Sequence, residues 1–436
     1  MAEPRAWLVV GLGFGDCGKG TITDALVRAK GAGAVIRFSG GAQAGHHVVL
    51  PDGRAHTFSQ FGAGSFVDGV RTHLASTVVV HPSALLVEAQ HLRRAGAEDP
   101  LGRLSIGEGC RITTPYHQAA GRLRELLRGE AAHGSCGVGV GETARDALAH
   151  PEETLVAGDL LSPMPALRRK LERIRERLIA SLGEGARELR ARPAQREWAL
   201  LEDAEVAAIW LEMIQGLAAS VPICSEDEAL ELPGLAESDL VFEGAQGVLL
   251  DEDYGFHPHT TWSRCTTAWA SAWLEARGLP HAPIRLGVLR TYLTRHGAGP
   301  LPSEAPELGP LLPEPQNGDG GWQGPFRRGW PDPVLGRYAI EANGGVDALA
   351  LTHLDRLAAV ERWRFVRAYP EPLELGPRGD LVHQERLTQR LGSLEPELEE
   401  LPREALARYP EWLERELALP VSITSSGPTF LEKRWR

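Results

Sequence analysis

Residues 8–21 contain the residue types best suited to binding an anion. Gly13 to Lys19 reads G-F-G-D-C-G-K, which fits the G-x-x-x-x-G-K spacing of a phosphate-binding loop. Glycines let several backbone N–H groups converge on one phosphate, and a helix N-terminus and the lysine ammonium add positive charge. An apolar run precedes the loop, and the residues after Gly20 look helical. This context favours a phosphate cradle over a structural turn.

The same loop predicts an unusual magnesium ligand. The residue after the lysine of such a loop is normally Ser or Thr, whose hydroxyl holds Mg²⁺. Here that residue is Gly20, and Thr21 comes one position late. Another residue must therefore hold the metal, and Asp16 inside the loop is well placed to do so.

Other polar loops follow strand-like runs, where loops of a parallel sheet usually face the ligand crevice. His46 ends one of them and could act as an acid or electrophile near a phosphate, or could simply cap its loop. Glu243 and Gln246 flank glycines in another and could both point into a cleft. These loops comprise residues 39–47, 134–141 and 243–247.

Composition excludes several classes of function. The chain has 436 residues, a formal net charge of −12, and five scattered cysteines without C-x-x-C spacing. The negative charge argues against broad binding to nucleic acid or anionic membranes. The cysteines fit reduced thiols of a cytoplasmic protein better than disulfides or zinc ligands. Neither a signal peptide nor an apolar run of membrane-spanning length is visible, so we expect no membrane association.

The hydrophobic pattern predicts the elements that carry these loops. A strand–helix–strand unit at the N-terminus implies a parallel sheet with right-handed crossovers. We predict strands at 7–10, 34–38, 77–81, 104–106, 239–242, 286–292, 348–355 and 420–424, and helices at 23–30, 83–94 and 116–127. The fold class is therefore α/β, a P-loop-type, mostly parallel central sheet flanked by helices. We expect a single domain over residues 1–436, with a helical insertion at 163–215 and a substrate loop region at 301–333.

Six motifs, in order over nearly the whole chain, resemble those of the adenylosuccinate synthetase family. Residues 15–20 (G-D-C-G-K-G) are similar to the family's G-D-E-G-K-G, and residues 40–46 (G-G-A-Q-A-G-H) to G-G-H-N-A-G-H. Residues 242–247 (F-E-G-A-Q-G) also look like a family motif. Residues 294–300, 352–355 and 425–428 are similar to T-R-V-G-A-G-P, T-K-L-D and S-T-G-P.

The resemblance implies a GTP-dependent ligase that phosphorylates the 6-oxo group of IMP and then displaces phosphate with the amine of aspartate. Asp16 would take a proton from the purine and touch Mg²⁺, and His46 would stabilise the transferring phosphoryl group. Lys19 and Gln246 complete the implied catalytic set, and the carbonyl of Gly45 joins Asp16 at the metal. The implied GTP-binding residues are Gly15, Gly18, Lys19, Gly20, Gly45, His46, Asp355, Ser425 and Gly427.

Departures from the family pattern lie at the other two substrates. The family's T-T-G-R-G-I-G-P loop is here residues 135–142, and its following arginine pair aligns with Glu152 and Glu153. Pro325 stands where the family has a carboxylate-binding arginine, and a proline cannot bind a carboxylate bidentately. His353 replaces the lysine beside Asp355. The remaining substrate-binding candidates are Gln43, Ser135, Cys136, Gln246, Arg327 and Arg328.

Three hypotheses follow. The first, which these departures favour, is a GTP-dependent C–N ligase with an altered acceptor and amine. The second is an adenylosuccinate synthetase with the usual substrates and shifted contacts. The third is a GTP-binding protein without ligase activity, against which the retention of Asp16, Lys19, His46 and Gln246 argues. The resemblance also implies a homodimer acting on small molecules.

Overall fold

The apolar run before the phosphate-binding loop forms a central strand of a large sheet. This is seen in a computed structural model of the chain, which describes residues 3–129, 134–189, 192–203, 205–317, 322 and 324–436. Six of the seven residues of that strand, Arg5–Gly11, are buried. Strands covered on both faces read as continuous apolar runs, which is the pattern of this segment.

The strands are β1 (Arg5–Gly11), β2 (Ala34–Arg37), β3 (His46–Val49), β4 (Ala55–Phe58), β5 (Arg71–Leu74), β6 (Val79–Val80), β7 (Leu104–Gly107), β8 (Arg111–Ile112), β9 (Ile223–Cys224), β10 (Leu240–Gly247), β11 (Ala282–Arg290), β12 (Leu293–His296), β13 (Phe326–Gly329), β14 (Ala348–Thr352), β15 (Arg364–Ala368), β16 (Glu397–Glu400), β17 (Val421–Ser425) and β18 (Lys433–Trp435).

The α-helices are α1 (Lys19–Lys30), α2 (Pro82–Arg94), α3 (Pro115–Arg128), α4 (Val140–Ala149), α5 (Met164–Glu188), α6 (Arg192–Glu202), α7 (Glu205–Ser220), α8 (Glu226–Ala229), α9 (Ala268–Ala276), α10 (Leu308–Leu311), α11 (Pro333–Ala342), α12 (Leu381–Ser393), α13 (Arg403–Ala407) and α14 (Tyr409–Leu417). Short 3-10 helices lie at Pro151–Glu153, Ala157–Leu161, Val248–Leu250, Leu354–Ala359 and Phe430–Glu432.

The central sheet confirms the predicted fold class. Within the described residues it has ten strands in the order β18-β17-β14-β11-β1-β10-β2-β5-β7-β9. Neighbouring strands pair in parallel, except that β18 runs antiparallel to β17. The carboxyl ends of β1, β2, β10, β11, β14 and β17 therefore lie along one edge, which is where ligands of such sheets bind.

One predicted strand is wrong as a member of this sheet. Within residues 77–81, only Val79–Val80 forms a strand, and it pairs with β8 in a separate two-stranded sheet. The position beside β2 is taken by β5, whose sequence R-T-H-L lacks a continuous apolar run. Buried His73 bonds Ser105 and Glu226 there, so hydrogen bonds to residues distant in the chain take the place of apolar character.

Helices α5, α6 and α7 occupy the region predicted as a helical insertion. Leu167, Leu171, Ile174 and Leu178 follow the helical period on α5 and are all buried. These side chains belong to an apolar cluster that also includes parts of α3, α6 and α7. A second cluster packs β1, β2 and β10 against the C-terminal third of the chain. The division into one domain with an insertion stays a prediction.

Candidate active site

A cleft of about 780 Å³ lies where the carboxyl ends of the central strands meet. Most of the residues predicted from sequence line it, although they come from segments hundreds of positions apart. They are Gly15, Asp16, Gly18, Lys19, Gly20, Gln43, Gly45, His46, Ser135, Cys136, Gln246, Asp355, Ser425 and Gly427. The sheet topology brings most of these loops together because they follow strands that end at the same edge, whereas Ser135 and Cys136 lie in the loop between α3 and α4.

The phosphate-binding loop has the backbone that its glycines predict. Gly15 and Gly18 have φ of 97° and 84°, which residues with side chains rarely adopt. Gly18 is the N-cap of α1, which begins at Lys19, so the helix N-terminus faces the cleft. Lys19 is buried, with Nζ 3.8 Å from the Cys17 sulfur. Backbone donors, a helix end and an ammonium thus converge at one point.

Packing explains the missing Ser or Thr after Lys19. A Cβ atom on Gly20 would lie 2.8 Å from Cβ of His46, closer than real Cβ contacts allow. Glycine at this position therefore lets β3 approach the start of α1. The hydroxyl of Thr21 donates to the carbonyl of Pro428 at 2.8 Å, which fixes α1 to the C-terminal loop.

The oxygen donors available for Mg²⁺ are few but suitable. The Asp16 carboxylate is 27% exposed and lies in the cleft, 3.6 Å from Nε2 of His296. The exposed backbone of Gly45 lines the same cleft. Mg²⁺ keeps several waters and needs only one or two protein carboxylates together with substrate phosphates. The residues present fit such an ion.

His46 belongs to a fully buried pair that the sequence did not predict. Its Nδ1 lies 2.6 Å from Oε1 of Glu243, and its Nε2 lies 3.0 Å from the carbonyl of Ala245. Burial lowers the pKa of His46, and the charge of Glu243 opposes this shift. Burial works against ionisation of Glu243 too, but His46 and Arg37 hold its pKa below the usual range. The distance between Nδ1 and Oε1 is that of a hydrogen bond that joins the two side chains.

The residues predicted to bind the guanine base also line the cleft. Asp355 lies beside Arg356, with 3.2 Å between carboxylate and guanidinium, and the loop with Ser425 and Gly427 lines the same cleft. Lys433 fixes this loop by donating to the carbonyls of Gly427 and Thr429 at 2.7 and 2.8 Å. Burial lowers the pKa of Lys433 to about 8.

His353, which replaces the family's lysine, lies in this base-binding region. It has a left-handed backbone with φ 63°, and its Nδ1 lies 2.9 Å from Oγ1 of Thr352. Burial, reinforced by nearby Arg290 and Arg356, holds its pKa well below the usual range. The side chain is therefore a neutral ring at neutral pH, suited to packing against a base but unable to supply the lysine's charge.

A third part of the cleft is lined by α3, α4 and the loop before α4. The amide of Gln43 is buried there and has no hydrogen-bond partner among the described residues. Burial raises the pKa of the Cys136 thiol, which keeps it protonated. Arg124 and Arg145 both contact Glu142 at the start of α4. Two arginines with one carboxylate leave net positive charge for an anionic substrate group.

The structure does not place Arg327 and Arg328 with the other predicted site residues, and their role in binding a substrate stays a prediction. They are not among the described residues that line the cleft. Arg327 pairs with Glu304 and donates to the carbonyls of Gly297 and Gly299. Arg328 donates to the carbonyl of Leu312. Strand β13 pairs with β12, and this pairing directs both guanidinium groups to backbone oxygens of neighbouring loops.

Several cleft residues were missed by sequence reasoning. Arg290 ends strand β11, and Arg295 and His296 end the neighbouring strand β12. Arg295 is buried over the ring of Phe14, and burial lowers its pKa to about 9. A charged residue at the carboxyl end of a predicted parallel strand was the available signal. Glu314, which ion-pairs with Arg290, carried no such signal because it lies in an irregular loop.

Comparisons with known proteins agree with one another. The profile described as Adenylosuccinate synthetase matches residues 8–432. An adenylosuccinate synthetase of Neisseria meningitidis serogroup C is 33% identical over 440 residues, covering 97% of this chain and 96% of that protein. The fold is similar to that of fully ligated adenylosuccinate synthetase from Plasmodium falciparum, with a TM-score of 0.75, 22% identity and 99% of each chain covered. It is also similar to cyanophage S-2L succinoaminodeoxyadenylate synthetase bound to dGMP and dATP as an energy donor, with a TM-score of 0.60, 17% identity, and 100% of this chain and 96% of that one covered.

Proposed function

This chain belongs to the adenylosuccinate synthetase family of C–N ligases, and we propose that it joins aspartate to IMP with GTP as the activating co-substrate. The observation that carries the proposal is the meeting, in one cleft, of the phosphate loop, the His46–Glu243 pair and the loop that contains Asp355. Identity of 33% over 97% of the chain supports the usual substrates over altered ones.

The first step would transfer the γ-phosphoryl group of GTP to O6 of IMP. The Asp16 carboxylate accepts the proton from N1 of the purine, so that electron density moves to O6, which attacks phosphorus as GDP leaves. Lys19 and the backbone N–H groups at the start of α1 hold the phosphates in line for attack. Asp16 and the Gly45 carbonyl would hold Mg²⁺, which neutralises phosphate charge when bound.

The second step would replace phosphate by an amine. The amino group of aspartate attacks C6, the C6–O bond breaks, inorganic phosphate leaves with the electron pair, and the amine gives up a proton to that phosphate. His46 favours both steps by presenting a hydrogen to the phosphoryl oxygens, because charge accumulates on those oxygens in each transition state. In this structure Nε2 of His46 faces the carbonyl of Ala245. When the nucleotide binds, Nε2 would therefore leave this carbonyl and bond a phosphoryl oxygen.

Selectivity for guanine is assigned to the base-binding end. The Asp355 carboxylate can accept hydrogen bonds from guanine N1–H and its exocyclic amine, whereas unprotonated N1 of adenine would face the carboxylate. Asp355 is 37% exposed in the free protein, and a polar group left unpaired when the base buries it costs about 1–3 kcal/mol. GTP should therefore be preferred over ATP by at least about tenfold.

A second candidate, the same chemistry on a different acceptor or amine, is favoured by specific observations. Arg327 and Arg328 are engaged by Glu304 and backbone carbonyls, and Pro325 cannot bind a carboxylate. Glu142 sits in the part of the cleft where an acceptor phosphate would need positive charge, although Arg124 and Arg145 compensate it.

A homodimeric assembly and a cytoplasmic location stay predictions. No helix of the described residues is long and apolar enough to span a membrane.

The deciding experiment incubates purified protein with IMP, aspartate, GTP and Mg²⁺ and measures adenylosuccinate and phosphate together. Stoichiometric formation of both, lost in Asp16→Asn, supports the usual substrates. Phosphate release that requires another oxo-compound or amine supports the second candidate. If GTP and Mg²⁺ give no substrate-dependent phosphate release across a panel of both, the ligase proposal is refuted. Arg285→Lys serves as the matched control, because Arg285 pairs with Asp347 outside the cleft.

A further inference from the structure

We propose that Arg290 is a positioning residue that fixes the orientation of Asp16, and that Glu314 fixes Arg290, so that the loop carrying Glu314 is coupled to the phosphate-binding loop. The inference rests on the role proposed above for Asp16. It concerns the geometry of the free protein and can therefore also be tested without turnover.

Asp16 needs an external restraint. Its φ of 49° places it in the left-handed region, which favours glycine. The loop is rich in glycine, but this position is not one of its glycines. A non-glycine residue keeps such a conformation only where its surroundings over-determine it. The restraint is provided by Arg290, whose Nη1 donates to the carbonyl of Asp16 at 2.7 Å. Fixing this carbonyl restrains the backbone from which the Asp16 carboxylate extends into the cleft.

Arg290 itself is held from several sides. It ends strand β11, which pairs with β1 immediately before the phosphate-binding loop, and it is 7% exposed. Its guanidinium lies over the ring of Tyr292 at 4.1 Å, and Nη1 also reaches Oγ1 of Thr294 at 3.3 Å. Its Nη2 bonds both the Tyr292 hydroxyl and the Glu314 carboxylate. Both terminal nitrogens are engaged by protein groups, and the one that contacts the phosphate-binding loop does so through the carbonyl of Asp16.

Glu314 connects a second loop to this arrangement. Its carboxylate accepts hydrogen bonds from Arg290 and from the Tyr292 hydroxyl, at 2.5 Å for the latter. The charges of Arg290 hold the pKa of Glu314 below its usual range although burial opposes this. Gln316 and Asn317 follow closely and also line the cleft. A ligand that moves this loop therefore acts on Arg290 and, through it, on Asp16.

The first test is amide hydrogen exchange of the full-length protein without substrates. Glu314→Gln weakens the anchor of Arg290, and Arg290→Lys keeps the charge but loses the fork of donors. We expect exchange in residues 13–18 to rise at least about tenfold in both variants. Arg285→Lys, on the same strand, and Asp347→Asn are the matched controls and should leave it unchanged. Unchanged exchange in residues 13–18 of folded Glu314→Gln would overturn the proposal.

The second test uses steady-state kinetics on IMP, aspartate and GTP. We expect Glu314→Gln and Arg290→Lys to lower kcat at least about tenfold, with KM for GTP changed less than about threefold. Effects of residues that act as a unit are not additive, so adding Arg290→Lys to Glu314→Gln should cost little activity beyond that of either change alone. Full additivity, or an effect on KM alone, contradicts positioning through Asp16. Wild-type protein inactive on these substrates refutes the proposed function, and the exchange experiment then decides this inference.

Discussion

The buried pair of His46 and Glu243 offers a direct test of the catalytic assignment. We consider Glu243→Gln, which keeps the side-chain size and can still accept from the backbone N–H of Ala63, as Oε2 does at 3.0 Å. The amide NH₂ would then face Nδ1 of His46 and donate to it. Because Glu243 raises the pKa of His46 against the effect of burial, removing its charge lowers that pKa further. The variant thus fixes His46 as a neutral ring.

The size of the effect follows from the hydrogen bond that is lost. A hydrogen bond to a charged group contributes about 1.5–3 kcal/mol. If that contribution stabilises the cationic form of His46 in the transition state, kcat falls by roughly 10- to 150-fold, at about 1.4 kcal/mol per factor of ten. Arg37, whose Nη1 lies 4.0 Å from Glu243, also loses its counter-charge, so the melting temperature should fall as well.

The assay is steady-state phosphate release at saturating GTP, with thermal unfolding measured on the same samples. Glu226→Gln is the matched control, because it removes a similar buried pair, with His73 at 3.1 Å, that does not line the cleft. Both variants should lose thermal stability, and only Glu243→Gln should lose kcat. A kcat for Glu243→Gln within twofold of wild type would refute the catalytic role given to the pair. Equal losses of kcat in Glu243→Gln and Glu226→Gln would show that the pair has only a structural role.

Further predictions concern binding and stability. Lys19→Ala should weaken GTP binding at least about tenfold in calorimetry, because the loop of residues 13–19 loses its only positively charged side chain, and unchanged affinity would argue against a phosphate site. As pH rises through about 8, Lys433 loses its proton and holds the carbonyls of Gly427 and Thr429 less firmly, so KM for GTP should rise. Lys433→Arg should show no such rise, and the same dependence of KM on pH in wild type and variant would contradict this. Burial raises the pKa of Asp332 from 3.8 to about 6, so its favourable contribution to folding is present below pH 3.8 and lost as pH rises through 6. Asp332→Asn should therefore gain up to about 3 kcal/mol of unfolding free energy relative to wild type between pH 4 and 7, measured by denaturant titration. A difference between variant and wild type that does not change with pH would refute this.

Local sequence was sufficient for the phosphate-binding loop and for the strands at the centre of the main sheet. Glycine spacing dictates the backbone of residues 13–18, since few other residues tolerate the positive φ of Gly15 and Gly18. Continuous apolar runs mark β1, β2 and β10 because both faces of a parallel sheet are covered. These signals reside in neighbouring residues, so they can be read without knowledge of distant partners. Strand β5 was not predicted because the residue that stabilises its buried His73 lies far along the chain.

The tertiary structure alone decided which charged groups face the cleft. Arg327 and Arg328 match the residue type that a carboxylate substrate needs, but pairing of β13 with β12 directs them to backbone carbonyls. Conversely, Glu243 belongs to the site because it bonds Nδ1 of His46, which is 197 positions away in the chain. Arg290 belongs to it because it donates to the carbonyl of Asp16, which is 274 positions away. The direction of a side chain depends on contacts made after the chain has folded, and residue type does not encode it. The sequence therefore determined the chemistry that the chain carries, and packing determined which of its residues can take part.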